Sequence, residues 1–285
     1  MSGTPDFPLD SPVRPFAVRI PKAPAVHTSK GSLRAVIYSD THVPFHDKKA
    51  LNVVRGIIQE VKPHILLNGG DLVDCWQISR FDKDPTRKDS LQDNIDEARE
   101  HLAEFALVAR KARRVLLAAN HDDRLTKTIW GLEGAARELP KLRIFQKHMT
   151  WPSLLELDSI GWEWVPTAVQ SRTPILPHLV TKHGTVVRKW SGATARGEWE
   201  RYGKSGISGH THRLSDFEHR DHSGTATWIE TGCTCDLNPS YGTDFDWMQG
   251  CVVITWNKDR RLMQPEIVSI REGMGQALYR GKVIG

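Results

Sequence analysis

The sequence predicts an α/β fold, a four-layer αββα sandwich in which two mixed β-sheets pack face to face with flanking helices. In the first half of the chain, short apolar runs rich in β-branched residues alternate with stretches of helical periodicity, which is typical of parallel strands joined by helices. After Gly161, short runs separated by turn residues indicate a second, mostly antiparallel sheet. At 285 residues the chain is long enough to bury a full core.

Three parts of the chain are distinguished by composition. Residues 1–32 contain several prolines and few apolar side chains, so we expect an extended arm that cannot bury enough surface to offset its ordering entropy. Residues 33–271 are predicted to form the ordered domain, and residues 272–285 a C-terminal tail. Within the domain, residues 123–177 are the least regular and are interpreted as a lid or partial cap.

The elements of the first sheet follow one another in a strand–helix–strand order. A buried strand is followed by a helix, and the pattern then repeats, as parallel strands with right-handed crossovers require. The predicted elements are Leu33–Tyr38 (strand), Lys48–Val61 (helix), His64–Leu67 (strand), Leu91–Arg110 (helix) and Val115–Ala118 (strand). The second sheet is assigned to the runs Leu179–Thr181, Ile207–Ser208, Thr225–Ile229, Val252–Trp256 and Glu266–Ile270.

Charge and cysteine usage restrict the class of protein only mildly. The balance of 39 basic and 34 acidic residues gives a net charge of +5, which favours acidic partners but equally suits a well-solvated surface. The four cysteines offer no disulfide framework, and Cys233 and Cys235 lack a second pair of zinc-binding cysteines, so buried reduced thiols are expected. Because we find no signal peptide and no bilayer-spanning apolar run, we expect a cytoplasmic protein of bacterial or viral style that binds no membrane.

Five short segments place carboxylate, imidazole and amide side chains at the ends of apolar runs. They are Ser39–His42, Gly70–Asp74, Asn120–Asp122, His183–Gly184 and Gly209–His212. In open α/β sheets ligands gather at the carboxyl ends of the strands, so the fold is expected to bring these segments to one rim. A carboxylate that bridges two divalent ions offsets their repulsion, and imidazoles complete each coordination sphere. Two ions about 3.5–4 Å apart clamp a phosphoryl group and activate a shared water for in-line attack.

In this order the five segments, DxH, GDxxD, NHD, HG and GHxH, resemble the calcineurin-like metallophosphoesterase superfamily over roughly residues 33–230. The Gly-Asp-Leu-Val-Asp segment is closest in style to the DNA-repair exonuclease and phosphodiesterase branch. One departure is Ala119, which stands where the family usually has glycine before Asn-His-Asp. That change affects a backbone turn and no ligand, so we expect little effect from it.

The resemblance implies a role for each matching residue. The first metal would be held by Asp40, His42 and His212, the second by Asn120, His183 and His210, and Asp71 would bridge the two. His121 would protonate the leaving alkoxide, and Asp74 would orient His121. The implied cofactors are two divalent metal ions; we expect Mn2+, with Zn2+, Fe2+ or Fe3+, Ni2+ and Mg2+ as alternatives.

Each of these residues also has a simpler interpretation. His42 alone would more often be a surface histidine than a ligand, and only its place beside Asp40 after a strand reverses that balance. Asp71 and Asp74 are also turn formers. His183 is the least secure ligand, because His-Gly is a weak signature and His148 and His178 compete with it.

The substrate is expected to be a phosphodiester, and we expect a nuclease that acts on DNA. Basic and aromatic residues follow most of the motifs, and Arg80 and Arg124 are the predicted substrate contacts. The alternatives are a small-molecule phosphodiesterase, and a phosphomonoesterase or protein phosphatase; the latter is disfavoured because Asp122 replaces the glutamate of the protein phosphatases. A non-catalytic scaffold of the same fold is disfavoured because every ligand position is filled. The oligomeric state is left open, with a homodimer among the options.

Overall fold

A computed structural model describes residues 31–222, 224–239, 245–257 and 262–285. The arm predicted for residues 1–32 therefore lies outside the described residues, except for its last two positions.

The larger sheet has six strands in the order β10-β9-β1-β2-β3-β4. Its strands are β1 (Ser32–Tyr38), β2 (Ile65–Asn68), β3 (Arg113–Leu117), β4 (Glu163–Val165), β9 (Gly250–Asn257) and β10 (Leu262–Ser269). β1 to β4 pair in parallel, whereas β9 and β10 continue the sheet beyond β1 in antiparallel pairing. The carboxyl ends of β1, β2 and β3 consequently lie at one edge, which is where the first three motifs begin.

The smaller sheet has four strands in the order β5-β6-β8-β7. These strands are β5 (Val180–Thr181), β6 (Gly206–Ser208), β7 (Leu214–Asp221) and β8 (Gly224–Thr231). β5, β6 and β8 pair in parallel, and only β7 and β8 form an antiparallel pair. The last two motifs follow β5 and β6, at the carboxyl edge of this sheet.

The described residues contain seven α-helices and three 3-10 helices. They are α1 (Lys48–Val61), α2 (Leu91–Val108), α3 (Asp123–Trp130), α4 (Arg143–His148), α5 (Trp151–Leu154), α6 (Leu157–Ile160), α7 (Ala193–Tyr202) and three 3-10 helices, Trp76–Ile78, Gly134–Lys141 and Thr167–Arg172.

The side chains of β1 explain why the sandwich has four layers. Val36 and Tyr38 point to a core shared with the apolar faces of α1 and α2. Ala35 and Ile37, on the opposite face of the strand, pack with Ile207 of the smaller sheet. α7 contacts β6, β7 and β8, so it covers the smaller sheet from outside. The predicted αββα sandwich with two mixed sheets is confirmed.

The two long helices begin at side-chain caps that the sequence supplies. The Asp47 carboxylate accepts hydrogen bonds from the backbone N–H groups of Lys49 and Ala50, which stabilises the start of α1. Ser90 and Asp93 form a reciprocal capping box at the start of α2. Both helices begin at the predicted residues, Lys48 and Leu91, and α2 ends two residues before the predicted Arg110.

The assignment of the C-terminal strands to the second sheet was wrong. Val252–Trp256 and Glu266–Ile270 fall in β9 and β10, which pair beside β1 in the larger sheet. The second sheet is mixed: β5, β6 and β8 pair in parallel over short stretches, and the longest pairing, β7 with β8, is antiparallel. The physical reason is that an apolar run identifies a buried strand but carries no information about which edge it joins.

Two regions surround this core. Residues 123–177 are built mainly from short helices, among which Trp151 is buried and donates its indole N–H to the carbonyl oxygen of Asp122. The C-terminal segment contains a hairpin of β11 (Ala277–Tyr279) and β12 (Lys282–Ile284), which packs on α1. No helix in the described ranges combines the length and apolar character that crossing a bilayer requires.

Candidate metal centre

Three of the candidate ligands are positioned by the turns that end β1, β2 and β3. Asp40 and Asp71 adopt left-handed backbone conformations, with φ of 53° and 49°. The turns pair with one another, because Asp40 N donates to the carbonyl oxygen of Gly70 at 3.0 Å and His42 N donates to that of Asp71 at 2.9 Å. Strained backbone that neighbouring turns hold in place is typical of functional sites.

Gly70 must remain a glycine for these turns to fit together. It has a φ of 101°, and a Cβ added there would lie 2.8 Å from the Ala119 methyl group and 2.9 Å from Nδ1 of His183. Ala119 itself is buried without disturbing any candidate ligand, and its N–H donates to the Asp122 carboxylate at 2.6 Å. The departure from the usual glycine at position 119 is thus accommodated by the missing side chain at position 70.

The motif after β6 joins the smaller sheet to the larger one. The backbone N–H of His210 lies 3.1 Å from both carboxylate oxygens of Asp40, so the residue after Gly209 is tied to the residue after β1. This bond brings the histidines of the smaller sheet over the carboxylates of the larger sheet.

The first half of the centre contains Asp40, His42 and His212. Nε2 of His42 lies 3.0 Å from Nε2 of His212. Oδ1 of Asp40 lies 3.3 Å from Nε2 of His212 and 4.0 Å from Nε2 of His42. All three side chains are buried. Burial raises the pKa of Asp40, but its hydrogen bond and charge interaction with His212 outweigh that effect and lower the pKa to about 2.

The second half contains Asn120, His183 and His210. Nε2 of His183 lies 3.0 Å from Oδ1 of Asn120 and 3.2 Å from Oδ2 of Asp71. His210 contributes a donor within 4.8 Å of those of Asp71 and His183, and its buried Nδ1 has no hydrogen-bond partner. Oδ2 of Asp71 is also 3.7 Å from Nε2 of His42, so this carboxylate stands between the two halves. All seven predicted ligand side chains therefore converge.

The hydrogen-bond partners of His183 indicate that this group of side chains suits a cation. Nδ1 of His183 lies 2.9 Å from the carbonyl oxygen of Gly69, which only accepts, so Nδ1 carries a hydrogen. Nε2 of the neutral ring is then a lone pair that faces two further acceptors, on Asn120 and Asp71. Burial lowers the pKa of His183, but the Asp71 charge outweighs it and raises the pKa to about 9. A divalent cation satisfies the same group of lone pairs, so the residues fit the metal ions that the fold implies.

His121 lies beside the centre with Asp74 and Arg124. Nδ1 of His121 is 2.8 Å from the backbone carbonyl oxygen of Asp74 and 3.4 Å from Oδ2 of its carboxylate. Nε2 is 3.9 Å from Oδ2 of Asp71 and 3.2 Å from Nη2 of Arg124. Burial lowers the pKa of His121, but the charges of Asp71 and Asp74 outweigh it and hold the pKa above its ordinary value.

Asp74 contacts more than the one histidine expected from the sequence. Its Oδ2 lies 3.1 Å from Nδ1 of His42, and its Oδ1 lies 3.2 Å from Nη1 of Arg124. Burial raises the pKa of Asp74, but hydrogen bonds with His121 and His42 outweigh it and hold the carboxyl well below its usual range. The ionised carboxylate thus fixes the orientation of two imidazoles at once.

The structure separates the two predicted substrate contacts. Arg124 is half-buried against Asp74 and His121. Arg80 is exposed, and the contact described for its guanidinium is with the Phe81 ring, 5.3 Å from the ring centroid. Of the two arginines, Arg124 alone is in contact with the centre within the ranges that the structure covers.

Gln170 holds part of the centre and was missed by the sequence reasoning. Its Oε1 accepts from His183 N at 2.9 Å, while its Nε2 donates to the carbonyl oxygens of Ala118 and Val165. Gln170 thereby connects the motif after β5 to the ends of β3 and β4. No motif marks it, since a glutamine in an irregular segment carries no signal of its own.

Together, the sandwich and the clustered carboxylates and histidines define a metal-dependent phosphoesterase. The calcineurin-like phosphoesterase family model matches residues 33–214, and the chain belongs to this family. The family implies divalent metal ions, and the described groups of histidines and carboxylates provide a candidate site for them.

The chain is also similar to a phage protein and to two solved structures. The chain is 25% identical over 255 residues to the Gene 54 protein of Mycobacterium phage D29, covering 85% of this chain and 95% of the phage protein. A single mutant of Vps29 from Entamoeba histolytica matches with 12% identity and a TM-score of 0.40, covering 88% of this chain and 96% of Vps29. The nuclease MPE of Pseudomonas putida matches with 12% identity and a TM-score of 0.34, covering 81% of this chain and 87% of the nuclease.

Proposed function

We propose that this phosphoesterase cleaves phosphodiester bonds in DNA and that it works with two divalent ions, Mn2+ being the expected metal. The observation that carries the proposal is the placement of His121, Asp74 and Arg124 at the edge of a complete set of seven donors. Asp40, His42 and His212 would hold one ion, Asn120, His183 and His210 the other, and Asp71 both. When bound, the ions would neutralise phosphoryl oxygens and acidify water.

His121 is the proposed general acid. Because Nδ1 donates to the carbonyl oxygen of Asp74, Nε2 is the nitrogen left to deliver a proton to the leaving oxygen of the substrate. The neighbouring carboxylates keep the pKa of His121 raised, which favours the protonated ring that an acid requires. Nη2 of Arg124 lies 3.2 Å from the same nitrogen and donates to it when the ring is neutral, while Nη1 contacts Asp74. When Nε2 carries the proton the guanidinium must turn away, and we expect it to turn to the substrate phosphate.

A basic and aromatic rim supports a nucleic-acid substrate over a smaller one. α3 starts directly after the third motif and carries Lys127 and Trp130, whose side chain is 77% exposed. A second part of the rim is Arg188–Trp190, which is tied to the last motif because Arg213 donates to the carbonyl oxygens of Arg188 and Lys189. Exposed indoles beside cations suit stacking on bases and contact with phosphates.

The size of the cavity is compatible with the same proposal. The cavity beside Asn120 and His183 has a volume of about 220 Å3. Pockets for small molecules are typically larger, roughly 300–1,000 Å3. A site of this kind suits a strand that lies across the rim and places only one group in the cavity.

A panel of substrates tests the proposal. The Mn2+-loaded protein is incubated with a chromogenic phosphate bis-ester, a mono-ester, a phosphopeptide, and labelled single- and double-stranded DNA, with Asp71→Asn protein as the control for contaminating nucleases. We expect cleavage of DNA and of the bis-ester. Activity confined to the mono-ester or the phosphopeptide would exclude the nuclease, and activity confined to the bis-ester would favour a small-molecule phosphodiesterase.

The two predicted arginines provide a finer test. Arg124→Gln should flatten the salt dependence of DNA binding by a slope of about one, because one phosphate contact is lost. Arg80→Gln is the matched comparison, since Arg80 is exposed and lies against Phe81. An unchanged slope in the Arg124 variant would remove this residue from the DNA contacts.

A further inference from the structure

A second cluster of metal-binding side chains lies directly behind His212. Cys233 and Cys235 follow β8, and both are buried, with 0% and 2% of their surface exposed. Sγ of Cys235 lies 3.8 Å from Nδ1 of His212. The donor atoms of the three residues all lie within 4.8 Å of one another. Cys233 and Cys235 lack a second pair of cysteines, and the donor that completes the cluster is instead His212 of the GHxH motif.

The distance between Sγ of Cys235 and Nδ1 of His212 is close to what one bound cation requires. Zinc binds sulfur at about 2.3 Å and imidazole nitrogen at about 2.0–2.1 Å, so tetrahedral geometry puts the two donors about 3.6 Å apart. The observed separation of 3.8 Å between Nδ1 and Sγ needs a shift of only a few tenths of an ångström.

Backbone hydrogen bonds hold the two cysteines in place. Cys233 N donates to the carbonyl oxygen of Met248 at 3.0 Å, and the Cys233 carbonyl oxygen accepts from Gly250 N at 3.1 Å. The Cys235 carbonyl oxygen accepts from Nε2 of Gln249 at 2.8 Å. The thiols are therefore presented by fixed backbone, as in a prearranged ligand pair.

His212 divides its two nitrogens between two environments. Nε2 faces Asp40 and His42 in the first half of the centre, whereas Nδ1 faces sulfur. The second nitrogen of a metal-binding histidine usually donates to a carboxylate, a backbone carbonyl or water, all of which are stronger acceptors than a thiol. The Trp247 ring contacts His212 edge-on, with ring centroids 4.2 Å apart, and His212 is buried.

We propose that Nδ1 of His212 and the sulfurs of Cys233 and Cys235 form a separate site for a soft cation of the Zn2+ or Cu+ class. Two thiolates and one imidazole are the donors that such ions select over the oxygen-preferring Mg2+ and Mn2+. Both thiols bind as thiolates, and His212 binds two cations only as an imidazolate, so the two thiols and the ring N–H release three protons to water. An ion in this site makes His212 bridge two cations, so it weakens the neighbouring ion of the first half. The site thus makes the enzyme sensitive to soft metals.

Cadmium provides a direct test, because its bonds to thiolate absorb in the ultraviolet and those to histidine and carboxylate do not. The full chain is loaded with Mn2+, titrated with Cd2+, and followed by the thiolate-to-cadmium absorption band. We expect the band to saturate at one sulfur-bound Cd2+ per chain and to disappear in the Cys233→Ser/Cys235→Ser double variant. Cys251→Ala, which removes a buried thiol of β9, is the matched control and should keep the band.

Two outcomes would overturn the site. One is the absence of a thiolate band from the parent protein, and the other is a band that persists in the folded double variant. X-ray absorption of the Cd2+ complex of the parent protein needs no variant, and it should show two sulfur neighbours; none would also exclude the site. In the parent protein, soft-metal binding should weaken one of the two Mn2+ ions about 10–100-fold. Equal weakening in the double variant would show that the effect arises elsewhere.

Discussion

The two halves of the centre are built by different means. In the first half, side chains orient the rings: the Asp74 carboxylate contacts Nδ1 of His42, and the Cys235 sulfur is next to Nδ1 of His212. In the second half, the Gly69 carbonyl oxygen contacts Nδ1 of His183, so backbone orients that ring. The first half can therefore be tuned by single substitutions, whereas the geometry of the second is set mainly by the turns that end the strands.

The largest effect is expected from Asp71→Asn, which affects both halves. Asp71 is the carboxylate within 3.7 Å of His42 and 3.2 Å of His183, so its loss removes the negative charge that two cations share. We expect both ions to bind weakly and hydrolysis to fall to background. Metal content after dialysis and turnover measure this, with the exposed Asp158→Asn as a control for charge loss. Retention of two tightly bound ions would contradict the shared role.

His121→Asn tests whether a residue beside both halves belongs to either of them. As a general acid, His121 is outside the ligand set, so both ions should remain while turnover falls roughly 10²–10⁴-fold. Metal analysis and steady-state kinetics on the same preparation separate the two effects. Loss of one ion would instead identify His121 as a metal ligand. That competing assignment arises because Nε2 of His121 lies 3.9 Å from Oδ2 of Asp71. Undiminished turnover would remove it from the reaction.

A pH-dependent effect is expected in the core that supports the first half. His101 is buried against Tyr38, the last residue of β1, and burial lowers its pKa from 6.5 to about 3. The unfolded chain binds this proton below pH 6.5 and the folded chain only near pH 3, so stability is lost as the pH falls through this window.

Denaturant unfolding of His101→Gln measures that contribution. Glutamine keeps a polar partner for Tyr38 but does not titrate, so between pH 7 and pH 5 the variant should lose about 2 kcal/mol less stability than the parent. Equal losses in both proteins would show that the acid sensitivity comes from other groups.

The smallest expected effect is confined to the second half. Gln170→Leu removes the acceptor for His183 N and the donor to the carbonyl oxygens of Ala118 and Val165, whereas the contacts of Asp71 and of the first half remain. We expect one of the two Mn2+ ions to bind about tenfold more weakly, as the loss of an outer-shell hydrogen bond does. Calorimetric titration resolves the two binding steps, with exposed Gln146→Leu as the control. Weakening of both ions would show that the halves are not independent.

Local patterns were enough to predict most elements of the larger sheet. The bounds of α1 coincide with the predicted helix, because a run of apolar residues at helical spacing follows a capping aspartate. β9 was assigned to the wrong sheet, since its residues are buried on both faces and such a run suits any central strand.

The ligands were predictable for a reason that does not extend to their supports. The ligands follow closely after strands, so the carboxyl edges of the sheets bring them together independently of the loop conformations. Gln170, in a short 3-10 helix, and Cys235, in the loop after β8, reach the centre through contacts that no local sequence pattern marks. Arg80 shows the converse, since it follows a motif closely and yet points to Phe81.

The bond between His210 and Asp40 has a mechanical consequence. It spans the two sheets, and the donors on either side of it come from different layers of the sandwich. Ions bound between those donors would connect the two layers at the carboxyl edges of the sheets. The two layers could then slide apart only if the ions were released. Metal occupancy of the centre and the strength of the contact between the layers should therefore change together.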